Sequence, residues 1–316
     1  MASWRERSWW GWGWADEALD DDACRRLAET SLRPWMPIDG SVLPVPYDPV
    51  LPPPRLIPPS IMQEAFAADA MTRAAHTYGK AFRDVVRALH GRLDHPPDLV
   101  CFPRTAHDVV ATLDWAEAVG AAVVPYGGGT SVVGGVEYRG DAPWISLDLG
   151  RLNRIGDGAS GDQGVWRSSF LRAPYTRDAL IRLGLIVETV ETACTWTRFE
   201  ALHAAVTAAA QAAAPARVAV VTCRITHAYP DGPAPYFTVI TPARRGAEVT
   251  IWDEIKAEVS SAITAAGGTI THHHAVGRDH LPWLARDPLF TDVLRAAKRT
   301  LDPRGILNPG ALLLPQ

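Results

Sequence analysis

Cysteine is scarce: Cys24, Cys101, Cys194 and Cys223 are the only four in 316 residues. They lie far apart and form no C-x-x-C pair, so neither a disulfide framework nor a cysteine-ligated zinc site is expected, and a reducing cytoplasm is the expected setting. No stretch reaches the roughly 18 consecutive apolar residues of a membrane span. The richest helical run, 204–216, is mostly alanine and carries Pro215. An excess of either charge is also missing, since 31 Lys and Arg against 35 Asp and Glu leave a formal −4 with no long like-charge run. That excludes electrostatic capture of nucleic acid, and any bound phosphate must be held by local geometry. The start, MASWRERSWWGWGW, lacks the basic and then apolar order of a secretory signal.

What is present is apolar mass, 47% of the residues, enough for two ordinary cores. Ten of the 26 residues from Pro34 to Pro59 are proline, which reads as an extended strap. Helical spacing follows from Ser60, a candidate N-cap, with a break near Gly79, so two helices are expected. Residues 98–155 alternate as an α/β unit: strand 99–102, helix 105–119, strand 121–125, a glycine-rich turn and strand 144–149. A Gly/Asp/Ser linker, 156–164, precedes a helix over 174–183 that Gly184 closes. Strand 185–189, helix 196–214, strands 217–226 and 236–241, helix 251–266, the strand GGTITHHH and a helix over 292–301 complete the chain. That order suits an α+β layer with a largely antiparallel sheet. The divisions expected are 1–59 (Trp- and Pro-rich extension), 60–96 (helical), 97–156 and 157–316.

The sharpest local signal is the run Pro125, Tyr126, Gly127, Gly128, Gly129, Thr130, Ser131, Val132, Val133, Gly134, Gly135, directly after a buried strand. Consecutive glycines let several backbone N–H groups line one concave surface, and Thr130 and Ser131 add hydroxyls. The run has neither the Rossmann spacing leading into a helix nor the lysine of a Walker loop. Taken alone it serves a diphosphate or a tight surface turn equally well.

This run resembles the diphosphate loop of the flavin-linked oxidases of the vanillyl-alcohol oxidase and p-cresol methylhydroxylase type, and LDPRGILNPGALL at 301–313 resembles their C-terminal signature. Within that superfamily, five blocks resemble the alkyldihydroxyacetonephosphate synthases in order. They include WGWG at 10–13, PYTRD at 174–178 with ETVETA at 188–193 and Trp196, CRITHAYPDG at 223–232 with YF at 236–237, and HHH at 272–274 with Gly277. The resemblance implies an α/β plus α+β fold, a truncated FAD-binding domain of the p-cresol methylhydroxylase type followed by a cap-like domain. It implies FAD, with its diphosphate on Gly127, Gly128, Gly129, Thr130 and Ser131 and with Pro125, Tyr126, Gly134 and Gly135 shaping the loop. In the family a long block follows the strand at 146–155, and it is absent here. Its absence leaves sheet edges and apolar faces to be covered by the cap, by another chain or not at all, which makes a homodimer the expected assembly.

The implied activity is exchange of an acyl for an alkoxy group on dihydroxyacetone phosphate, in ether-lipid synthesis, without net redox. Arg177 would hold the phosphate, and Tyr236 with His272, His273 and His274 would move protons. On a strand, His272 and His274 would share one face and His273 the other. From the residues alone the tract is also open to a solvated strand end, or to a metal site with His280 or Asp279 as a further ligand; no metal is expected from the resemblance. The substrate expected is a small phosphate- or carboxylate-bearing molecule, lipid-linked on this reading, with peripheral membrane contact. Two other readings stand beside it: an FAD-dependent 2-hydroxy-acid oxidase or dehydrogenase, whose substrate carboxylate suits Arg177 equally, and an internally deleted, inactive relic. The four tryptophans at 9–14 read as a packing clasp, and Asn308 as structural.

Overall fold

A computed structural model describes the backbone over residues 6–152 and 165–313, with side chains from residue 172 in the second stretch. The expected linker at 156–164 lies outside the described residues. The first layer is a four-stranded sheet in the order β1 (Phe66–Ala67), β2 (Leu99–Cys101), β4 (Trp144–Asp148), β3 (Ala122–Tyr126). Strands β2, β4 and β3 run parallel, and β1 is antiparallel at one edge. The crossover between β2 and β3 is helix α4 (Ala106–Val119). Its start is fixed by a reciprocal cap, in which Thr105 Oγ1 accepts from Asp108 N at 3.1 Å while the Asp108 carboxylate accepts from Thr105 N at 3.0 Å. Gly120, at φ +70°, closes it.

The second layer is an antiparallel sheet in the order β5 (Leu185–Glu191), β7 (Pro233–Pro242), β6 (Val220–Ala228). Helices α6 (Phe199–Ala213) and α7 (Glu248–Ala265) cover one of its faces. Leu202, Val206 and Ala210 from α6 and Trp252, Ile255, Val259 and Ile263 from α7 recur at helical spacing and pack with Val190, Phe237 and Val239 of the sheet. Helix α3 (Phe82–Leu89) joins the same core through Phe82, Val85 and Val86, so one core spans both halves of the chain. Each such side chain contributes about 1.5–3 kcal/mol on burial. The core also holds Trp9 and Trp10, as a packing clasp requires. Trp12 N donates to Asp178 Oδ2 at 2.6 Å and Trp14 N to Tyr175 Oη at 2.9 Å. The opposite face of the second sheet packs Leu185 and Val187 against Met36 of the strap, which has no regular structure over 37–59.

Several expectations change. Ser60 caps no α-helix: 60–65 is a 3-10 turn leading into β1, and the first helix of this region, α2 (Ala70–Ala75), is capped by Asp69, whose Oδ1 accepts from Thr72 N at 2.8 Å. Pro174 does not open a helix but lies inside α5 (Val165–Arg182), so Arg177 falls within the helix rather than in its first turn. Strand β6 begins at Val220 because Ala216 and Arg217 take φ of 50° and 55°. The segment GGTITHHH is not a strand. The outer edge of β3 is covered by the chain's own C-terminal segment, where Val123 N donates to Ile306 O and Asn308 N to Val123 O, both at 2.8 Å. Asn308 Nδ2 donates to Gly135 O at 3.0 Å, a structural contact as expected. No helix among the described residues is long and apolar enough to cross a membrane.

A network of ion pairs clamps α3 to the turn after the glycine loop. Glu137 is paired with Arg87 at 2.8 Å and with Arg139 at 2.6 Å, while Arg83 reaches Asp279 at 2.8 Å and Arg87 reaches Asp84 at 2.7 Å. Burial alone would raise the Glu137 pKa, but hydrogen bonds and charge from Arg139 and Arg87 pull it down to about 2. Asp84, wholly enclosed, is pushed up by burial instead. A carboxylate depressed in the folded state stabilises it above the unfolded value of about 4.3 and loses that contribution as pH falls through about 2. Glu137→Gln should therefore lower stability at pH 7 by about 3 kcal/mol, since Arg87 and Arg139 lose the buried carboxylate they share. It should also flatten the decline of melting temperature between about pH 4 and pH 2, read by circular dichroism; an unchanged acid slope would show that Glu137 does not carry it.

Candidate cofactor and substrate site

The glycine loop leaves β3 at Tyr126, whose hydroxyl donates to Ala75 O at 3.0 Å and fixes the loop's base; burial pushes its pKa up. Gly129 takes φ +67°, and a Cβ there would run into the Tyr126 ring, so only glycine fits. Gly127, Gly128 and Thr130 are exposed. Among the described residues, the backbone N–H groups of Gly128, Gly129, Thr130 and Ser131 have no acceptor. Ser131 Oγ is turned inward, accepting from Gly135 N at 2.9 Å and Val133 N at 3.4 Å, so it braces the loop.

Two segments that the sequence keeps far apart meet this loop. Lys80 N donates to Ser131 O at 2.6 Å, and Lys80 O accepts from Arg177 Nη1 at 2.8 Å, which sets the Arg177 guanidinium one residue away from the loop. Arg177 also donates from Nε and Nη2 to Asp178 Oδ1, at 3.3 and 3.0 Å. On the loop's far end, Val133 O accepts from Arg278 N at 2.8 Å and Asp279 N at 3.2 Å. Gly277 (φ +55°) makes this approach, because a Cβ there would overlap the Val133 carbonyl.

Three residues before Gly277 lies the histidine tract. It is a bend rather than a strand because a carboxylate takes the place of a partner strand: Glu191 Oε1 accepts from Thr271 Oγ1 at 3.0 Å, His272 N at 3.1 Å, His273 N at 2.5 Å and also His274 N. Burial raises the Glu191 pKa, but these backbone donors, His274 N first, carry it below the ordinary range. The expected alternation therefore fails. His272 and His273 bring their Nδ1 atoms within 3.2 Å of each other, while His274 turns to Tyr236, ring centroids 5.7 Å apart. Tyr236 pairs with Glu191 on one side and Arg224 on the other, so all three share one face, and the Arg224 guanidinium lies 4.5 Å above the Tyr236 ring. Burial lowers the His274 pKa against the pull of Glu191, so the ring is neutral near pH 7. His280 turns Nδ1 to Ala275 O at 3.1 Å and Asp279 pairs with Arg83, so neither joins the tract.

The structure thus joins the loop, Arg177 and the tail of the tract. Sequence reasoning passed over Lys80, which is 7% exposed, and Arg7, whose Nη1 donates to Gly128 O at 3.3 Å. Burial pushes the Lys80 pKa down to about 8 against the pull of Asp178 and Asp84. It also passed over Glu191 as the anchor. The Gly-Lys pair at 79–80 was the available signal, because a Cβ on Gly79 would strike Ser131 O.

Two family models match the chain: FAD binding domain over residues 97–164, and FAD linked oxidases, C-terminal domain, over 154–312. The chain belongs to the FAD-linked oxidases. Alkyldihydroxyacetonephosphate synthase of Trypanosoma brucei brucei is 33% identical over 117 residues, 32% of this chain and 19% of that protein. Its counterpart in Dictyostelium discoideum is 28% identical over 153 residues, 47% and 25% of the two chains. That of Caenorhabditis elegans is 29% identical over 192 residues, 56% and 32%. The match therefore spans a fifth to a third of these curated relatives. Two solved structures of alkyldihydroxyacetonephosphate synthase, in P212121 and P1, superpose with TM-scores of 0.74 and 0.72 at 13% identity, each over 96% of this chain and 98% of theirs. They share its fold, an α/β layer and an antiparallel sheet.

The cofactor of this FAD-linked oxidase is FAD. Its loop fits a diphosphate, because four successive N–H donors that lack an acceptor among the described residues are what such an anion satisfies in a protein of near-neutral charge. In this chain Gly277→Ala should separate the tract from the loop, costing about 1–3 kcal/mol through strain at positive φ and the displaced carbonyl. Desalting after incubation with FAD should then leave less flavin on the variant than on the wild type. Equal retention and equal melting temperature would show that the contact at Val133 is dispensable.

Proposed function

We propose that the chain exchanges the acyloxy group of an acylated dihydroxyacetone phosphate, which leaves as a carboxylate, for the alkoxy group of an alcohol, as an FAD-dependent enzyme resembling the alkyldihydroxyacetonephosphate synthases. The observation that carries this reading is the Arg177–Lys80–Ser131 chain of hydrogen bonds, which sets a guanidinium beside the diphosphate loop. Its three bonds to the protein leave about two of five N–H groups for a substrate phosphate. FAD, when bound, supplies the electron sink. Gly128, Gly129, Thr130 and Ser131 would hold its diphosphate. Neutral His274 would take the proton of the incoming alcohol and release it to solvent, while the Tyr236 hydroxyl would hydrogen-bond the carboxylate that leaves as its anion. Tyr236 lies between Arg224 and His274, and this neighbourhood supports that role.

The first test is the visible spectrum of protein incubated with FAD and desalted. A retained flavin band, with FAD released on denaturation, is expected; folded protein without flavin overturns the enzyme reading in favour of the relic. With flavin bound, Arg177→Ala should raise KM for the acylated phosphate by about 10–100-fold, the worth of a charged hydrogen bond. Tyr236→Phe should instead lower kcat by about 100-fold. Flavin reduction by lactate or glycolate, with no turnover of the phosphate ester, would favour the 2-hydroxy-acid oxidase.

A further inference from the structure

The segment after the histidine tract bounds a cavity of about 600 Å3 that the proposed reaction does not use. Its charged lining is Arg139, from the turn after the glycine loop, with Arg278 and Arg286, which flank the 3-10 turn Leu281–Trp283. Leu281, Pro282 and Leu284 form a short apolar wall beside them. No carboxylate lines the cavity among the described residues. Its volume suits a small molecule, for which sites span about 300–1,000 Å3.

Arg278 is the first sign of a ligand. It is 8% exposed, yet its Nη1 has no acceptor among the described residues. Its Nη2 donates to Pro309 O at 2.7 Å, so the guanidinium is held in place with one nitrogen unused. A buried donor without a partner costs about 1–3 kcal/mol, which an incoming acceptor relieves. The second sign is a charge balance that does not close. Arg83, Arg87 and Arg139 are matched by Asp84, Glu137 and Asp279. Arg278 and Arg286 stand outside that network and form no ion pair among the described residues. Two positive charges are left at the cavity, one buried and one exposed. Burial, and then the like charge of Arg139, lowers the Arg278 pKa against the pull of Glu137 and Asp279, as befits a cation short of counter-charge.

We propose that this cavity binds a phosphate monoester carrying an apolar group. A dianion matches both uncompensated guanidiniums, whereas a carboxylate would leave one of them unmatched. Arg278 Nη1 donates to one phosphate oxygen and Arg286 to another, while the apolar group lies against Leu281, Pro282 and Leu284. The cavity draws on no residue of the glycine loop or the histidine tract, nor on Arg177 or Tyr236, so the site stands apart from the proposed reaction.

The test titrates the full chain, in excess FAD, with hexyl phosphate by calorimetry. An Arg177→Ala background weakens competition from the proposed substrate site. One hexyl phosphate per chain is expected, with a higher melting temperature at saturation. Arg278→Met should weaken binding by about 10–100-fold, the worth of a charged hydrogen bond. Arg286 is exposed and makes no hydrogen bond among the described residues, so Arg286→Ala keeps the fold and should weaken binding by about 2–5-fold. Arg299→Ala, exposed in the helix Pro288–Leu301, should leave the affinity unchanged. Inorganic phosphate and hexanoate should each bind at least about 10-fold more weakly, the first for want of buried methylenes and the second of charge. Absence of saturable binding, or equal affinity with and without Arg278→Met, would overturn the site. Hexanoate as tight as hexyl phosphate would overturn the dianion, and inorganic phosphate as tight would overturn the apolar wall.

Discussion

One carbonyl fixes the glycine loop against the segment that follows the histidine tract. Val133 O, at the outer end of the loop, accepts the N–H groups of Arg278 and Asp279, four and five residues beyond the tract. It works only because Gly277 has no side chain and adopts a positive φ. Around it Arg83, Arg87 and Arg139 share Asp84, Glu137 and Asp279, so α3, the turn after the loop and the segment after the tract are held as one body. Such buried networks contribute more to a unique arrangement than to net stability, since desolvation offsets most of their attraction. Here the arrangement is what the site requires.

Glu191 plays the matching part on the other side. A strand end that lacks a neighbour leaves backbone N–H groups unsatisfied, and a single buried carboxylate oxygen gathers those of three successive histidines. That turns a segment that would otherwise alternate its side chains into a bend that points them in two directions, His274 toward Tyr236, and His272 and His273 toward His227.

The shortened chain also covers itself in ways that its missing block does not suggest. Residues 306–308 take the outer edge of β3, and the strap places Met36 on the open face of the second sheet. The tryptophan clasp reaches the core beside α3 and ties to Asp178 and Tyr175 of α5. These contacts let a protein that matches only part of its relatives' length keep α3 and the tryptophan clasp in one core with the second sheet.

Much of this was legible in the residues. Hydrophobic period separated helices from strands because α6 and α7 bury every third or fourth residue and β7 alternates. The glycine loop was legible too, since positive φ at Gly129 and close backbone approach leave no other residue type. Short or interrupted elements were not: the 3-10 turn at 60–65, Pro174 within α5, and the histidine bend, which a carboxylate distant in the chain imposes. By itself the sequence determined the local elements, the loop and the family to which they belong. Only the tertiary structure decided that Lys80 joins Arg177 to the loop, that Glu191 bends the tract and that Val133 holds the segment after the tract. Hydrogen bonds between residues so distant along the chain leave no period, cap or spacing in the sequence.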